Sequence, residues 1–217
     1  MIDLHTHTLL SDGELVPAEH IRRAQSEGYR VLGFADHVDL ATMEAVIPVL
    51  LEAARRENEL GQMTVLAGVE LTHVRPTHIA EATRRARRLG AQYVICHGET
   101  LVEPVMPGTN AAAIEAGVDI LAHPGLIEPS LVKQAAESGV RLEISGKAGH
   151  SLANGHVAKL ATACGATLLF GSDAHGPGQF APEAHARNVC RAAGLEEGQV
   201  EAMFASAQAF ADELAGR

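Results

Sequence analysis

The sequence predicts an α/β protein with parallel strands, and three features of the chain support this prediction. Seven short runs rich in Val, Ile and Leu begin 22 to 33 residues apart, which is about the length of one strand-plus-helix unit. Each run is followed by a longer segment, often rich in Ala, whose apolar residues have helical spacing. The runs themselves are almost continuously apolar, as is typical of parallel strands buried on both faces.

The strands are predicted at these seven runs: Ile2–His5, Val31–His37, Thr64–Leu71, Tyr93–His97, Asp119–His123, Arg141–Ser145 and Thr167–Ser172. The remaining segments predict eight helices: Pro17–Glu27, Ala41–Leu60, Thr77–Leu89, Ala111–Ala116, Pro129–Glu137, Gly155–Cys164, Pro182–Ala193 and Gln199–Leu214. Several of them start with proline near the first turn and end at a glycine, which are the usual signals for helix boundaries.

The order of these elements leaves two architectures open. The count of seven strands falls short of the eight in a regular (β/α) barrel. An open, doubly wound sheet fits the same alternation. No linker or change of composition divides the chain, so residues 1–217 are predicted to form a single domain.

Composition and charge exclude several function classes. The formal net charge is −10 and aromatic residues make up 3% of the chain. Binding of long nucleic acid is therefore not expected, because it needs clustered Lys and Arg or stacking aromatic side chains. Three widely spaced cysteines without a CxxC pair, no signal-peptide pattern and no membrane-length apolar stretch favour a cytoplasmic protein without membrane contacts. The unusual number is histidine, with 12 residues.

Histidines and carboxylates recur where the predicted strands end. The first strand ends in His5-Thr6-His7, whose two imidazoles point the same way because strand side chains alternate between faces. Asp12 follows in a turn, where an ordinary turn carboxylate is the simpler explanation for this residue taken alone. The later strands end with the same residue types: His37, Glu70, His97, His123, Asp173 and His175. All of them lie at the carboxyl edge, where the active sites of barrels and open α/β sheets are found.

These nine side chains predict a metal centre. Six imidazoles and three carboxylates gathered on one edge would be costly to desolvate without cations. Mixed imidazole and carboxylate ligands suit Zn, Mn or Fe, whereas Mg and Ca sites consist almost entirely of oxygen. Nine donors exceed one tetrahedral site, so two or three divalent transition metal ions are expected.

Six motifs in this order, DLHTHTLLSDG, ADH, GVE, CHG, AHPG and GSDAH, resemble those of the polymerase-and-histidinol-phosphatase (PHP) family between Asp3 and His175. The resemblance implies a distorted seven-stranded, TIM-like (β/α) barrel with a trinuclear metal centre that hydrolyses phosphate esters. It assigns the first metal to His5, His7, Glu70 and Asp173. It assigns a second metal to Glu70, His97 and His123, and a third to Asp12, His37 and His175. Some members carry His at the position of Asp12, which bears on the third metal's identity or occupancy.

The resemblance also implies a mechanism in which a metal-activated hydroxide attacks the phosphate, because metal binding lowers the pKa of water towards about 7. The expected catalytic residues are Glu70, His97, Asp173 and His175. No GxSxG or GxxxxGK[ST] motif occurs in the chain. We interpret Asp3 and Asp36 as groups that orient ligand imidazoles, with ordinary strand-end carboxylates as the alternative.

The segment 145–151 after the sixth predicted strand is a candidate for substrate binding. It is rich in glycine and contains Ser145, Lys147 and His150, a composition that fits an anion-binding loop. A flexible connection is the alternative interpretation. Arg75, after the third strand, is also placed to reach a substrate.

The leading functional hypothesis is a phosphomonoesterase acting on a small phosphorylated substrate, such as one resembling histidinol phosphate. The alternatives are a nucleotide phosphodiesterase or nuclease of the same family and, with less support, a non-catalytic barrel subunit. Amidohydrolases also begin with HxH, but they need a Lys on the fourth strand and an eighth strand ending in Asp. The fourth strand here ends in His97 and no eighth strand is predicted.

Overall fold

The structure, a computed structural model, describes residues 1–216 and contains nine strands and eight α-helices that alternate along the chain. Every strand pair is parallel. The strands are β1 (Ile2–Thr6), β2 (Val31–Phe34), β3 (His37–Val38), β4 (Thr64–Ala67), β5 (Val69–Leu71), β6 (Val94–His97), β7 (Ile120–Ala122), β8 (Arg141–Ser145) and β9 (Leu168–Gly171). The predicted α/β class with parallel strands is confirmed.

The count differs from seven because two predicted strands are each divided in two. The second becomes β2 and β3, and the third becomes β4 and β5. A Cβ added to Gly68, between β4 and β5, would lie 2.3 Å from the ring of Tyr93, so this ring occupies the space beside the break. The Tyr93 hydroxyl lies 2.8 Å from the carbonyl oxygen of Leu4 and 2.7 Å from that of Phe34. Such a division leaves no trace in the apolar pattern of the sequence.

The strands form two sheets, with the orders β1-β2-β4 and β3-β5-β6-β7-β8-β9. The first and last strands meet only at their carboxyl ends, where the His7 N–H donates to the Ala174 carbonyl at 2.8 Å and the Asp173 N–H donates to the His5 carbonyl at 2.9 Å. The expected distorted seven-stranded barrel is therefore shown only in part: the strands are parallel and alternate with helices, but within residues 1–216 no continuous ladder closes them into a barrel. The divided strands and the short β1–β9 contact account for the difference.

The helices lie close to their predicted positions. They are α1 (Pro17–Ser26), α2 (Met43–Asn58), α3 (Pro76–Arg88), α4 (Thr109–Ala116), α5 (Pro129–Ser138), α6 (Asn154–Cys164), α7 (Glu183–Ala192) and α8 (Glu197–Leu214), with a short 3₁₀ helix at His150–Ala153. Proline is at the start of α1, α3 and α5, where its fixed φ suits the first turn and no N–H is required. None of the helices in the described part of the chain is long and apolar enough to cross a membrane.

Two apolar layers hold the sheets and helices together. The larger lies between the strands and the surrounding helices and includes Leu32, Leu50 and Ile79. The smaller is enclosed by the strands, with Leu4, Tyr93, Ile95 and Ile120 at its centre. Phe210 and its neighbours on α8 belong to this inner layer. The histidines and carboxylates at the carboxyl ends of the strands are not part of this inner apolar layer. They surround an edge that apolar side chains do not fill.

Candidate metal centre

The nine predicted ligands lie around the carboxyl edge of the strands and are called the donor cluster below: His5, His7, Asp12, His37, Glu70, His97, His123, Asp173 and His175. Most are buried, while His37 and His175 are half-buried and Asp12 is exposed. They come from the ends of six of the seven predicted strands and from the turn after the first.

Glu70 is at the centre of the donor cluster. Its Oε2 lies 2.8 Å from Nδ1 of His37, 3.5 Å from Nε2 of His5 and 3.8 Å from Nε2 of His7. Its Oε1 lies 3.7 Å from Nε2 of His123. One carboxylate thus faces four imidazoles, which is the arrangement expected of a carboxylate that bridges two cations.

Asp173 faces the same space from the end of β9. Its Oδ1 lies 3.2 Å from Nε2 of His7, and its Oδ2 lies 3.9 Å from Nε2 of His123. Within residues 1–216 the non-glycine residues with positive φ are His73, His123 and Asp173, at 52°, 27° and 55°. This conformation is unfavourable for residues with a side chain and is concentrated at functional sites. Two of these three strained residues belong to the donor cluster.

Asp12 reaches the donor cluster through the turn 8–13. Its Oδ1 lies 3.1 Å from Nε2 of His175 and 3.4 Å from Nε2 of His37. Gly13 lets the turn close tightly, since a Cβ at this position would lie 2.3 Å from the carbonyl oxygen of His7. Asp36 fixes the same turn by accepting hydrogen bonds from the Thr8 N–H at 2.9 Å and the Ser11 hydroxyl at 2.9 Å.

The donor atoms form several close groups, each with all its members within 4.8 Å of one another: His7, Asp12, His37 and His175; His5, His7 and Glu70; His5, His123 and Asp173; His97, His123 and His150. Asp12, His37 and His175, which the resemblance assigned to a third metal, therefore lie close together, and His7 lies in the same group. Of the set assigned to a second metal, His97 and His123 are together. His150 joins them, whereas Glu70 approaches only His123.

The buried donor atoms of the donor cluster have the chemistry expected of a cation site. They include several with no hydrogen-bond partner in the described chain: His5 Nε2, both ring nitrogens of His7, Glu70 Oε1 and His123 Nδ1. An unpaired buried polar atom costs about 1–3 kcal/mol. Cations bound by these lone pairs would remove that cost for the atoms facing the centre, and the mixture of nitrogen and carboxylate oxygen matches Zn, Mn and Fe.

Burial and the carboxylates shift the pKa values of the donors in opposite directions. Burial lowers the pKa of a histidine, and it brings that of His7 to about 3. For His5 this burial effect is outweighed by the carboxylates of Glu143, Glu70 and Asp173, which raise its pKa well above the usual value. Burial would raise the pKa of Glu70, but His5 and His37 hold it well below its usual range. The central carboxylate is therefore ionised at neutral pH, as a cation ligand must be.

Glu143 is a functional residue that the sequence analysis missed. It is fully buried on β8, its Oε1 lies 2.5 Å from Nδ1 of His5, and its Oε2 accepts the His123 N–H at 3.0 Å. A carboxylate on the far nitrogen of a ligand imidazole fixes the ring and its tautomer. The signal was present in the sequence, since Glu143 is an acidic residue in the middle of the otherwise apolar run after Arg141.

Asp3 and Asp36 do not have the role predicted for them. Asp36 holds the turn 8–13, as described above. Asp3 accepts the His5 N–H at 3.1 Å and the Ser172 N–H at 3.2 Å, and so ties the backbone of β1 to the segment that follows β9. Neither carboxylate accepts a hydrogen bond from an imidazole within residues 1–216. They position the backbone of ligand-bearing segments rather than the rings, because both side chains accept N–H groups of nearby turns.

The predicted substrate-binding residues lie in different surroundings. Lys147 borders the donor cluster, with Nζ 2.6 Å from Nδ1 of His175 and 3.6 Å from Oδ1 of Asp173. His150 is stacked on His123 with ring centroids 4.0 Å apart. Ser145 is buried, and its hydroxyl accepts the Lys147 N–H at 3.2 Å. Arg75 is exposed at the start of α3 and makes no ion pair with a residue of the described chain.

Comparisons with known proteins agree with the motifs. The family profile described as the PHP domain matches residues 3–141. An uncharacterized protein of Methanocaldococcus jannaschii is 39% identical over 201 residues, which are 92% of this chain and 92% of that protein. A 5'-3' exoribonuclease of Haemophilus influenzae is 36% identical over 70 residues, covering 32% of this chain and 23% of that enzyme. A crystal structure of an amidohydrolase is similar in fold, with a TM-score of 0.62 and 15% identity, and covers all of this chain and 74% of that one.

Proposed function

The chain belongs to the PHP family, and on that premise we propose that it hydrolyses a small phosphate monoester with two or three divalent metal ions bound by the donor cluster. Membership of this family implies a metal-dependent hydrolase. The choice of a phosphate ester, and of Zn, Mn or Fe as the ions, is our proposal. So is the placement of the enzyme in the cytoplasm.

The observation that supports the proposal most is the arrangement around Glu70. Four imidazoles face this one carboxylate, and Asp173 faces three of the same rings from the carboxyl end of β9. When bound, the metal ions supply Lewis acidity that neutralises phosphoryl charge and lowers the pKa of water. The residues supply the fixed positions: Glu143 holds His5 and the backbone of His123, and Asp36 holds the turn that carries Asp12.

Lys147 is the residue that we propose as the main contact to the substrate phosphate. It is half-buried at the border of the donor cluster, where its ammonium group lies next to Asp173 and His175. Beside it is a cavity of about 470 Å³, whose lining includes Lys147, Ser172, Gln179, Phe180 and His185. A cavity with cationic, polar and apolar walls suits the organic part of a small phosphate ester.

The test is a hydrolysis screen on protein reconstituted with Mn, Fe or Zn, using a panel of phosphomonoesters and phosphodiesters. We expect at least one ion per chain by elemental analysis and release of phosphate from a monoester. Asp173→Asn should lower kcat/KM at least about a hundredfold, since it removes a ligand from ions that contribute several kcal/mol. Glu115→Gln, on the exposed side of α4, is the matched control. Absence of bound metal together with absence of turnover would refute the proposal and favour a non-catalytic subunit.

A second candidate function is a nucleotide phosphodiesterase or nuclease. It is favoured by the partial match to the exoribonuclease of Haemophilus influenzae. The net charge of −10 and the small aromatic content disfavour long nucleic acid but not a nucleotide. Turnover of the diesters without turnover of the monoesters would select this candidate.

A further inference from the structure

We propose that Glu103 and His73 are additional ligands of the cation held by His97. The inference rests on the proposed metal centre and adds two residues to it. Neither belongs to a motif that carries the family resemblance. His73, His97 and Glu103 form a group whose donor atoms all lie within 4.8 Å of one another.

The Glu103 carboxylate lies among three imidazoles. Its Oε2 is 3.1 Å from Nε2 of His97 and 3.3 Å from Nε2 of His73. Its Oε1 is 3.4 Å from Nε2 of His150. Two ligand atoms at about 2.0–2.2 Å from one ion are themselves separated by about 3 Å, so the spacing of Glu103, His97 and His73 is that of ligands sharing a cation.

The tautomer of His97 directs a lone pair towards this group. Its Nδ1 lies 3.1 Å from the carbonyl oxygen of Gly98, which can only accept a hydrogen bond. Nδ1 therefore carries the proton and Nε2 is left as the ligand atom. Nε2 is the atom that faces Glu103, whereas Glu70 makes no comparable approach to His97 in the described chain.

The backbone of His73 supports a functional role for its side chain. Its φ of 52° places it with His123 and Asp173, the other two non-glycine residues of the described chain with positive φ. The strained conformation turns the imidazole towards the strand ends, where its ring lies 5.3 Å from that of His97 between centroids. A conformation that costs about 1–3 kcal/mol needs a compensating interaction, and a bound cation supplies one.

The loop 98–108 that carries Glu103 is anchored on both sides of this residue. Glu99 Oε1 accepts the Gly108 N–H at 3.1 Å and the Asn110 N–H at 2.9 Å. The Thr100 hydroxyl lies 2.7 Å from Nδ1 of His150. Glu103 is consequently held near His97 by the loop itself.

The composition of the group indicates the class of cation. Two imidazoles and one carboxylate suit Zn, Mn or Fe and disfavour Ca or Mg. Glu103 and His73 have side-chain exposures of 38% and 42%, so we expect this ion to be the first that a chelator removes.

The experiment measures metal binding without any substrate. Wild type, Glu103→Gln and His73→Asn are loaded with Zn²⁺ or Co²⁺, and the ions retained at rising chelator concentration are counted by elemental analysis. We expect each variant to bind one ion at least about tenfold more weakly, with a changed Co²⁺ absorption spectrum, and to keep the others. Asn tolerates positive φ and Gln matches the shape of Glu, so both variants keep the backbone. Glu115→Gln is the control.

Two negative results can be distinguished. Variants that retain every ion with wild-type affinity would overturn this inference alone and leave the proposed metal centre as it stands. A wild-type chain that retains no ion would overturn the metal centre and, with it, the proposed function.

Discussion

Glu143 controls how His5 presents its ring to the donor cluster. The carboxylate accepts from Nδ1, so Nε2 is free to face Glu70 and Asp173. Room for it comes from Gly171, because a Cβ there would lie 2.0 Å from Glu143 Oε1. A single glycine on β9 therefore permits a buried carboxylate on β8 to reach a ring on β1.

Glu143→Gln should weaken metal binding while leaving the fold intact. The amide keeps the size of the side chain but removes the charge that makes His5 a stronger ligand, and such changes lower metal affinity about 10- to 100-fold. Competition with a chromophoric chelator measures the affinity, with Glu115→Gln as the control. An affinity equal to that of wild type would show that Glu143 has no such role.

Lys147→Ala should raise KM for a phosphomonoester without changing the metal content. The side chain contacts Asp173 and His175 but is no metal ligand, and a lost hydrogen bond to a charged group is worth about 1.5–3 kcal/mol. We expect a rise in KM of at least about tenfold by steady-state kinetics. Lys159→Ala, on the exposed side of α6, serves as the control. Unchanged kinetics would remove Lys147 from the substrate site.

The sequence allowed the positions of the donor cluster to be predicted because every donor except Asp12 stands at or just after the end of an apolar run. It did not reveal Glu143, whose role depends on a contact across 138 residues of sequence. Glu103, and His73 as a metal ligand, were not predicted for a related reason. Both residues lie on loops whose path no local sequence pattern specifies, so their proximity to His97 is visible only in the structure.

The Tyr93 side chain lies beside the carboxyl ends of β1 and β2 and beside the break between β4 and β5. This side chain fills the space that Gly33 and Gly68 leave open, since a Cβ at Gly33 would lie 2.2 Å from its hydroxyl oxygen and one at Gly68 would lie 2.3 Å from its ring. The hydroxyl reaches the carbonyls of Leu4 and Phe34 on two neighbouring strands. The sequence predicted all seven runs and all eight helices, but not these breaks, because a glycine inside an apolar run is compatible with a continuous strand.

Tyr93→Phe should destabilise the fold by about 1–3 kcal/mol, the cost of leaving a buried acceptor without its donor. Tyr93→Leu should cost more, because it also opens a cavity beside the two glycines. Denaturant unfolding followed by circular dichroism gives both values. Equal midpoints for wild type and Tyr93→Phe would mean that the hydroxyl contributes nothing to the strand ends.

The stability of the whole chain should depend on pH through His20. This residue is buried on α1 against Phe180, with ring centroids 4.8 Å apart, and neither ring nitrogen has a hydrogen-bond partner in the described chain. Burial lowers its pKa from about 6.5 to about 4. The unfolded chain therefore binds a proton more readily, and folding is weakened as the pH falls from about 6.5 to about 4.

His20→Leu should remove this part of the acid sensitivity, which amounts to at most about 3 kcal/mol for a shift of this size. The measurement is the free energy of unfolding at pH 7 and pH 5 with a chelator present, so that metal release does not contribute. His78→Leu, an exposed position on α3, is the control. The same pH dependence in wild type and His20→Leu would contradict the assignment.

The short contact between β1 and β9 forms a seam between the two sheets. Two backbone hydrogen bonds and the Asp3 carboxylate join the chain there, and the donors on either side, His5 and Asp173, are 168 residues apart in sequence. Ions shared by these donors would act as cross-links across the seam. Amide hydrogen exchange should accordingly accelerate in β9 and α8 after chelation, while β5, β6 and β7 remain protected. Metal binding would then slow the separation of β9 from β1.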